Sequence, residues 1–156
     1  MSSSYPTSHP AAQRSTASRG LSPDAVFVGA LALGAAAAVA IGQHYGTLML
    51  GVVGSLLFLG LGGAAVALGR GSVATRLVLA TALSAMVALH IQLGRGTLEF
   101  HFGVFVTLAL LLVYRDWRPI VMSAAFFAVH HVAFDRMQAS GWGVYCTPQP
   151  DFLKIV

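Results

Sequence analysis

The sequence predicts an all-α integral membrane helical bundle, and three observations carry that expectation. First, 56% of the 156 residues are hydrophobic and only 9% charged, with a mean hydropathy of +0.76, whereas a soluble domain carries about 25% charged residues. Second, long apolar runs follow one another from Ala25 onward and reach the roughly 17 to 25 residues that a spanning helix needs. Third, clusters of Gly, Arg and Pro separate the runs, as in membrane hairpins. The expected arrangement is five transmembrane helices at about residues 25–41, 47–69, 77–93, 97–114 and 120–138, with a sixth cut off at the C terminus. The formal charge of +4 comes from nine basic residues spread along the chain, with four net of the five acids, so no nucleic-acid patch is expected. A lone cysteine, Cys146, excludes an intramolecular disulfide and a cysteine-only metal site.

Residues 1–24 are rich in Ser, Thr, Pro and Ala without apolar periodicity, the composition of a disordered tail in which His9 is simply solvated. Ser22-Pro23-Asp24 reads as a helix start, since Ser or Asp can cap and Pro suits the first turn. In the first helix Ala30, Gly34 and Ala38 lie four apart and let a neighbour approach closely. Ala38-Val39-Ala40 resembles a signal-peptidase site, but the long polar segment before it and the hairpin after it favour an uncleaved helix. Residues 42–46 form that hairpin. The second helix is glycine-rich, which in lipid serves close packing. Arg70-Gly71-Ser72 closes it, and Arg76 precedes the third helix. Gly94-Arg95-Gly96 turns the chain into the fourth. Tyr114-Arg115-Asp116-Trp117-Arg118-Pro119 is an interfacial turn, with an aromatic belt residue, cations and a proline opening the fifth helix. Residues 139–156 are expected as an outer loop and the beginning of the truncated helix.

A cytoplasmic N terminus places Arg14, Arg19, Arg70, Arg76, Arg115 and Arg118 inside and Arg95, Arg136 and Lys154 outside, a positive-inside bias of six to three. The membrane histidines then share one end. His44 follows helix one, His90 ends helix three, His101 begins helix four, and His130, His131 and Asp135 occupy the last turns of helix five. At 1.5 Å per residue, His90 and His101 lie about 5 Å below the outer surface and His130 about 10 Å. Ionisable groups at membrane depth mark functional sites, so His90, His101, His130 and His131 form the candidate cofactor or metal site, with Asp135 beside them. His130 and His131 point about 100° apart, so one is the expected ligand and the other packs or donates a hydrogen bond. His131 and Asp135 share a face, as do Met86 and His90. Glu99 points away from His101 and is expected to cap helix four.

Three readings compete for this cluster. A haem held between two histidines needs matched depth and a broad apolar slot, and Phe100, Phe102, Phe105, Phe126, Phe127 and Phe134 supply aromatic walls. Copper or zinc could instead take His90, His101 and His130 or His131, with Asp135. The plainest reading is that the histidines only hydrogen-bond helices together, in a structural or truncated membrane protein. Cys146 could be a soft ligand, although an ordinary loop cysteine is the commoner case. No catalysis is expected. The pair His130-His131 is similar to the histidine boxes of membrane metal-dependent oxidoreductases, but HxxH spacing, HExxH, Walker loops and nucleophile elbows are all missing.

Residues 90–145 resemble the multi-helix membrane sensor region at the N terminus of bacterial methyl-accepting chemotaxis proteins, also seen on some diguanylate cyclases. The resemblance rests on His90-Ile91, Glu99-Phe100-His101-Phe102, the 114–119 turn, His130-His131 and Gly141-Trp142-Gly143-Val144-Tyr145. It implies a sensory or ligand-binding module of the bacterial inner membrane, dimeric in the bilayer and coupled to a cytoplasmic signalling partner. Members of that family continue into a helical output domain, whereas this sequence has no methylation helices, kinase-coupling hairpin or cyclase domain.

Overall fold

The computed structural model describes residues 21–148. Most of the expected polar tail and of the expected sixth helix therefore lies outside the described residues, with His9, Arg14, Arg19 and Lys154. The described chain is helical throughout: α1 (Pro23–Tyr45), α2 (Leu48–Gly69), α3 (Val73–Leu93), α4 (Leu98–Leu111) and α5 (Trp117–Ala139), with a 3₁₀ turn, Leu112–Tyr114, extending α4.

Several helices begin earlier than the apolar runs do, because polar caps rather than hydropathy set their starts. The Ser22 hydroxyl accepts from the Ala25 amide at 3.3 Å, and Ser72 accepts from Thr75 at 3.1 Å, so α3 begins at Val73 rather than near 77. Asp116 accepts from the Arg118 amide at 3.1 Å and opens α5 at Trp117. The first helix continues through the segment expected as a hairpin and ends at Gly46, whose φ of 73° is the left-handed cap that glycine adopts without strain.

Among the described residues, α1, α2 and α3 are long and apolar enough to cross a membrane, with mean hydropathies of 2.3, 2.1 and 1.6. The Leu98–Tyr114 segment is apolar but short. The fifth helix has 23 residues, but Arg118, His130, His131, Asp135, Arg136 and Gln138 lower its hydropathy. The residues that make α5 chemically interesting are thus the ones that weaken it as a span on composition alone.

Helix α3 is the axis of the bundle and packs against each of α1, α2, α4 and α5. The larger apolar core joins Phe27, Leu31, Ala38, Leu79, Met86 and Leu93, with Leu111 and Tyr114 closing it. Close approach of α1 and α2 depends on Gly51, where a Cβ would stand 2.7 Å from the Ala38 carbonyl oxygen. A smaller core of Val87, Ile91 and Phe127, with Phe100, Val104 and Phe126 against it, joins α3, α4 and α5 beneath the histidines. Outward-facing Leu33, Leu56, Phe105 and Val129 are all more than half exposed, as side chains that meet lipid are in a membrane helix.

Polar contacts tie each end. At the end where the chain enters α1, the buried Asp24 carboxylate accepts from the Gly71 amide at 2.7 Å and from the Tyr114 hydroxyl at 3.2 Å. Arg76 pairs with Asp116 at 3.6 Å and lies over the Tyr114 ring. Midway along, the Ser84 and Ser123 hydroxyls meet at 2.9 Å between α3 and α5. At the opposite end Arg95 donates to the Tyr45 carbonyl at 3.4 Å, which places the α1–α2 and α3–α4 turns together.

A histidine and cysteine cluster between α4, α5 and the exit loop

All the membrane histidines lie toward this second end, but the structure divides them among different tasks. The His90 ring Nε2 lies 2.8 Å from the Gly34 carbonyl oxygen. A carbonyl only accepts, so His90 donates there and joins α3 to α1. His44 is exposed in the last turn of α1. Glu99 is exposed in the first turn of α4, where it complements the helix dipole, and the N-cap Thr97 makes no side-chain cap bond. Met86 is buried against Gly34 rather than turned to the site.

His130 and His131 diverge, as adjacent helical residues must. His130 is 6% exposed, packs against Phe134 with ring centroids 4.2 Å apart and runs parallel to Phe126. Neither of its ring nitrogens has a hydrogen-bond partner. It borders two apolar hollows along α5, of about 420 Å³ toward Met122 and Val129 and about 270 Å³ toward Phe58 and Leu89.

His131 turns the other way and meets His101, with ring centroids 5.5 Å apart. Among the described residues, the His, Cys and carboxylate groups that converge closely enough to share an ion are His101, His131 and Cys146, one ligand atom from each lying within 4.8 Å of the others. His90, His130 and Asp135 stand outside that group. Asp135 is buried and acts on the Cys146 thiol through its charge.

The loop after α5 brings Cys146 there. Two glutamines hold it in a manner that no apolar pattern discloses. Gln138 of α5 accepts from the Cys146 amide at 2.7 Å and from the Thr147 amide at 3.3 Å, and donates to the Thr147 carbonyl at 2.7 Å. Gln92 of α3 accepts from the Tyr145 amide at 2.8 Å and donates to the Gly143 carbonyl at 3.4 Å. Gly96 is required beneath the loop on two counts: its φ is +75°, and a Cβ would meet the Thr147 backbone at 2.6 Å. Sequence reasoning weighed Cys146 as a loop residue and overlooked both glutamines. Their placement in the last turns of two helices was the available signal, since a half-buried side-chain amide there can reach the backbone of the following loop.

Cys146 is fully buried, and its thiol donates to the His131 carbonyl at 3.8 Å. Burial first, and then the Asp135 carboxylate, pushes this thiol up to about 11. The thiolate is the reactive form, and a thiol titrating near 11 holds about a hundredth of the thiolate of an ordinary cysteine at neutral pH. Metal-free protein should therefore take up iodoacetamide at Cys146 roughly a hundredfold more slowly than SDS-unfolded protein at pH 8. The rate should rise about tenfold per pH unit until the thiol titrates. Mass spectrometry of the adduct against time reads this directly, and equal rates would contradict the buried placement.

The comparisons with known proteins fit a signalling membrane protein without fixing its family. A stretch of 60 residues is 32% identical to the transducer protein Htr8 of Halobacterium salinarum, covering 38% of this chain and 9% of that protein. No family model and no solved structure matches the chain. A partial, transducer-like relationship and three apolar helices are what sequence comparison and structure together support.

Proposed function

We propose that this chain is the membrane-embedded sensory module of a chemoreceptor-like transducer, in which a ligand held at the α4–α5 end changes the packing of those helices against α3. All five helices cross the bilayer in this reading, with the N terminus cytoplasmic and the histidine end in the outer leaflet half. The module lies in a bacterial inner membrane as a homodimer, binds rather than catalyses, and works through a cytoplasmic signalling partner. One observation carries the reading: histidines from two lightly joined helices and a cysteine from the following loop meet at one point, in a chain that shares a stretch with a transducer. A transition metal is the ligand class this meeting favours.

A second reading, haem, is favoured by His130. Its unpartnered ring borders apolar hollows walled by Phe126 and Phe134, and haem needs an axial imidazole in an apolar slot. A Soret band in purified protein that disappears in His130→Phe would establish haem, and its absence would leave the metal.

The chain has two tryptophans, and they flank α5: Trp117 opens it and Trp142 follows it, both exposed. Helix α5 is about 34 Å long at 1.5 Å per residue, so a ligand at the histidines is remote from Trp117. In a Trp142→Phe protein in lipid nanodiscs, a sensory module shifts the Trp117 emission maximum when Zn(II), Cu(I) or haem binds. Binding that leaves Trp117 unchanged would speak against transmission along α5.

A further inference from the structure

We propose that His101, His131 and Cys146 form a three-coordinate nitrogen and sulfur site for a thiophilic d10 cation, Cu(I) or Zn(II). This deepens the sensory reading and rests on it only for its role in signalling.

The orientation of the two imidazoles is the first argument. His101 Nδ1 lies 3.2 Å from the Thr97 carbonyl oxygen, and His131 Nδ1 lies 2.7 Å from the Phe127 carbonyl oxygen. Each carbonyl belongs to the residue four positions earlier on the same helix and can only accept, so each Nδ1 carries the proton. For His131 this fixes the tautomer and leaves Nε2 with a lone pair; the His101 ring also lies beside the Cys146 backbone, and takes the same tautomer when its Nε2 ligates. This is the arrangement that metal-binding histidines use, one nitrogen donating to a backbone carbonyl and the other free to ligate. Nε2 of His101 is buried and makes no full hydrogen bond, although the Cys146 backbone lies beside the ring, so ring and cysteine already adjoin where a metal would join them.

The third ligand selects the metal. Thiolate favours soft and borderline cations, Cu(I) and Zn(II) among them, over Mg(II) or Ca(II). Charge reinforces this at a buried site. Two neutral imidazoles, one thiolate and Cu(I) sum to zero, and with Zn(II) the single remaining positive charge faces the buried Asp135 carboxylate that already acts on Cys146. On binding, the Cys146 S–H bond breaks, the sulfur bonds to the metal and the proton leaves to solvent, one proton per ion.

Geometry also suggests what binding does. Metal bonds of about 2.0 to 2.3 Å hold their ligand atoms some 3.3 to 3.9 Å apart, whereas these three lie within 4.8 Å of one another. The cluster must contract by up to about 1 Å to bind. The cysteine sits on a loop and the histidines on two helices that both pack on α3, so the contraction pulls α4, α5 and the loop together.

The test uses the full chain, tag removed, purified in detergent under reducing conditions and freed of metal by chelation. Cu(I) is titrated against bicinchoninate and Zn(II) against a chromophoric chelator. One equivalent of either is expected to bind, and the two titrations decide which cation the site prefers. Cys146→Ser, His101→Ala and His131→Ala should each weaken binding at least a hundredfold, while His44→Ala, at an exposed position, keeps it. Because a variant could fold poorly, Co(II) is added to the unaltered protein as a second readout. A thiolate-to-cobalt absorption band and protection of Cys146 from alkylation support the site. No stoichiometric binding of either ion, or full binding by a folded Cys146→Ser protein, overturns it. A Trp117 shift on adding Zn(II), Cu(I) or haem to a Cys146→Ser, Trp142→Phe protein would show that the sensory reading survives the loss of this site.

Discussion

Asp24→Leu should lower the stability of the detergent-solubilised bundle by about 1 to 3 kcal/mol, the cost of removing the acceptor of a buried Tyr114 hydroxyl and of a part-buried Gly71 amide. The carboxylate is 3% exposed and joins three separated parts of the chain: α1, the turn at Gly71 and the 3₁₀ turn at Tyr114. Removing it leaves the Gly71 amide and the Tyr114 hydroxyl without their acceptor at a place where Phe27 stacks on Tyr114 with centroids 4.5 Å apart. Asp24→Asn keeps one acceptor oxygen and should lose about half as much. SDS titration followed by circular dichroism measures both. Equal stability of Leu and wild-type proteins would mean that water, not Asp24, satisfies these groups.

The second large effect is expected at Gln138→Leu. One side-chain amide makes three hydrogen bonds to the backbone of Cys146 and Thr147, and leucine, similar in bulk, makes none of them. The loop should detach while α5 stays folded, since Gln138 lies in its final turn. Cys146 alkylation at pH 8 should then accelerate by roughly the hundredfold that burial suppresses, and the metal affinity of the cluster should fall with it. A Gln138→Leu protein with the slow alkylation of wild type would show that Gln92 and packing alone hold the loop.

How much of this was legible in the sequence depends on the range of the interaction. The turns were readable because their chemistry is local: Ser22-Pro23-Asp24 does begin α1, and Gly94-Arg95-Gly96 does separate α3 from α4. The shared end of the histidines followed from alternating helix directions. Partner choice did not follow. His90 finds the Gly34 carbonyl because α1 and α3 cross closely there, and no spacing within either helix encodes that register. Asp24 reads as a capping residue by position, yet its partners are 47 and 90 residues away. Cys146 lies in a segment without periodicity, so its return to His101 and His131 depends on side-chain hydrogen bonds from two other elements. Composition pointed to five spans, and three helices meet the length and hydropathy that a span requires. The polar residues of α5 and the shortness of α4 account for the difference.

The most direct measurement joins this chain, in place of the N-terminal membrane region, to the output domain of a methyl-accepting chemotaxis receptor. Receptor-coupled kinase activity is then followed while Cu(I), Zn(II) or haem is varied. A dose-dependent change in kinase activity that His131→Ala abolishes is expected. Constant activity from a correctly inserted chimera, or a response that His131→Ala retains in full, would contradict it.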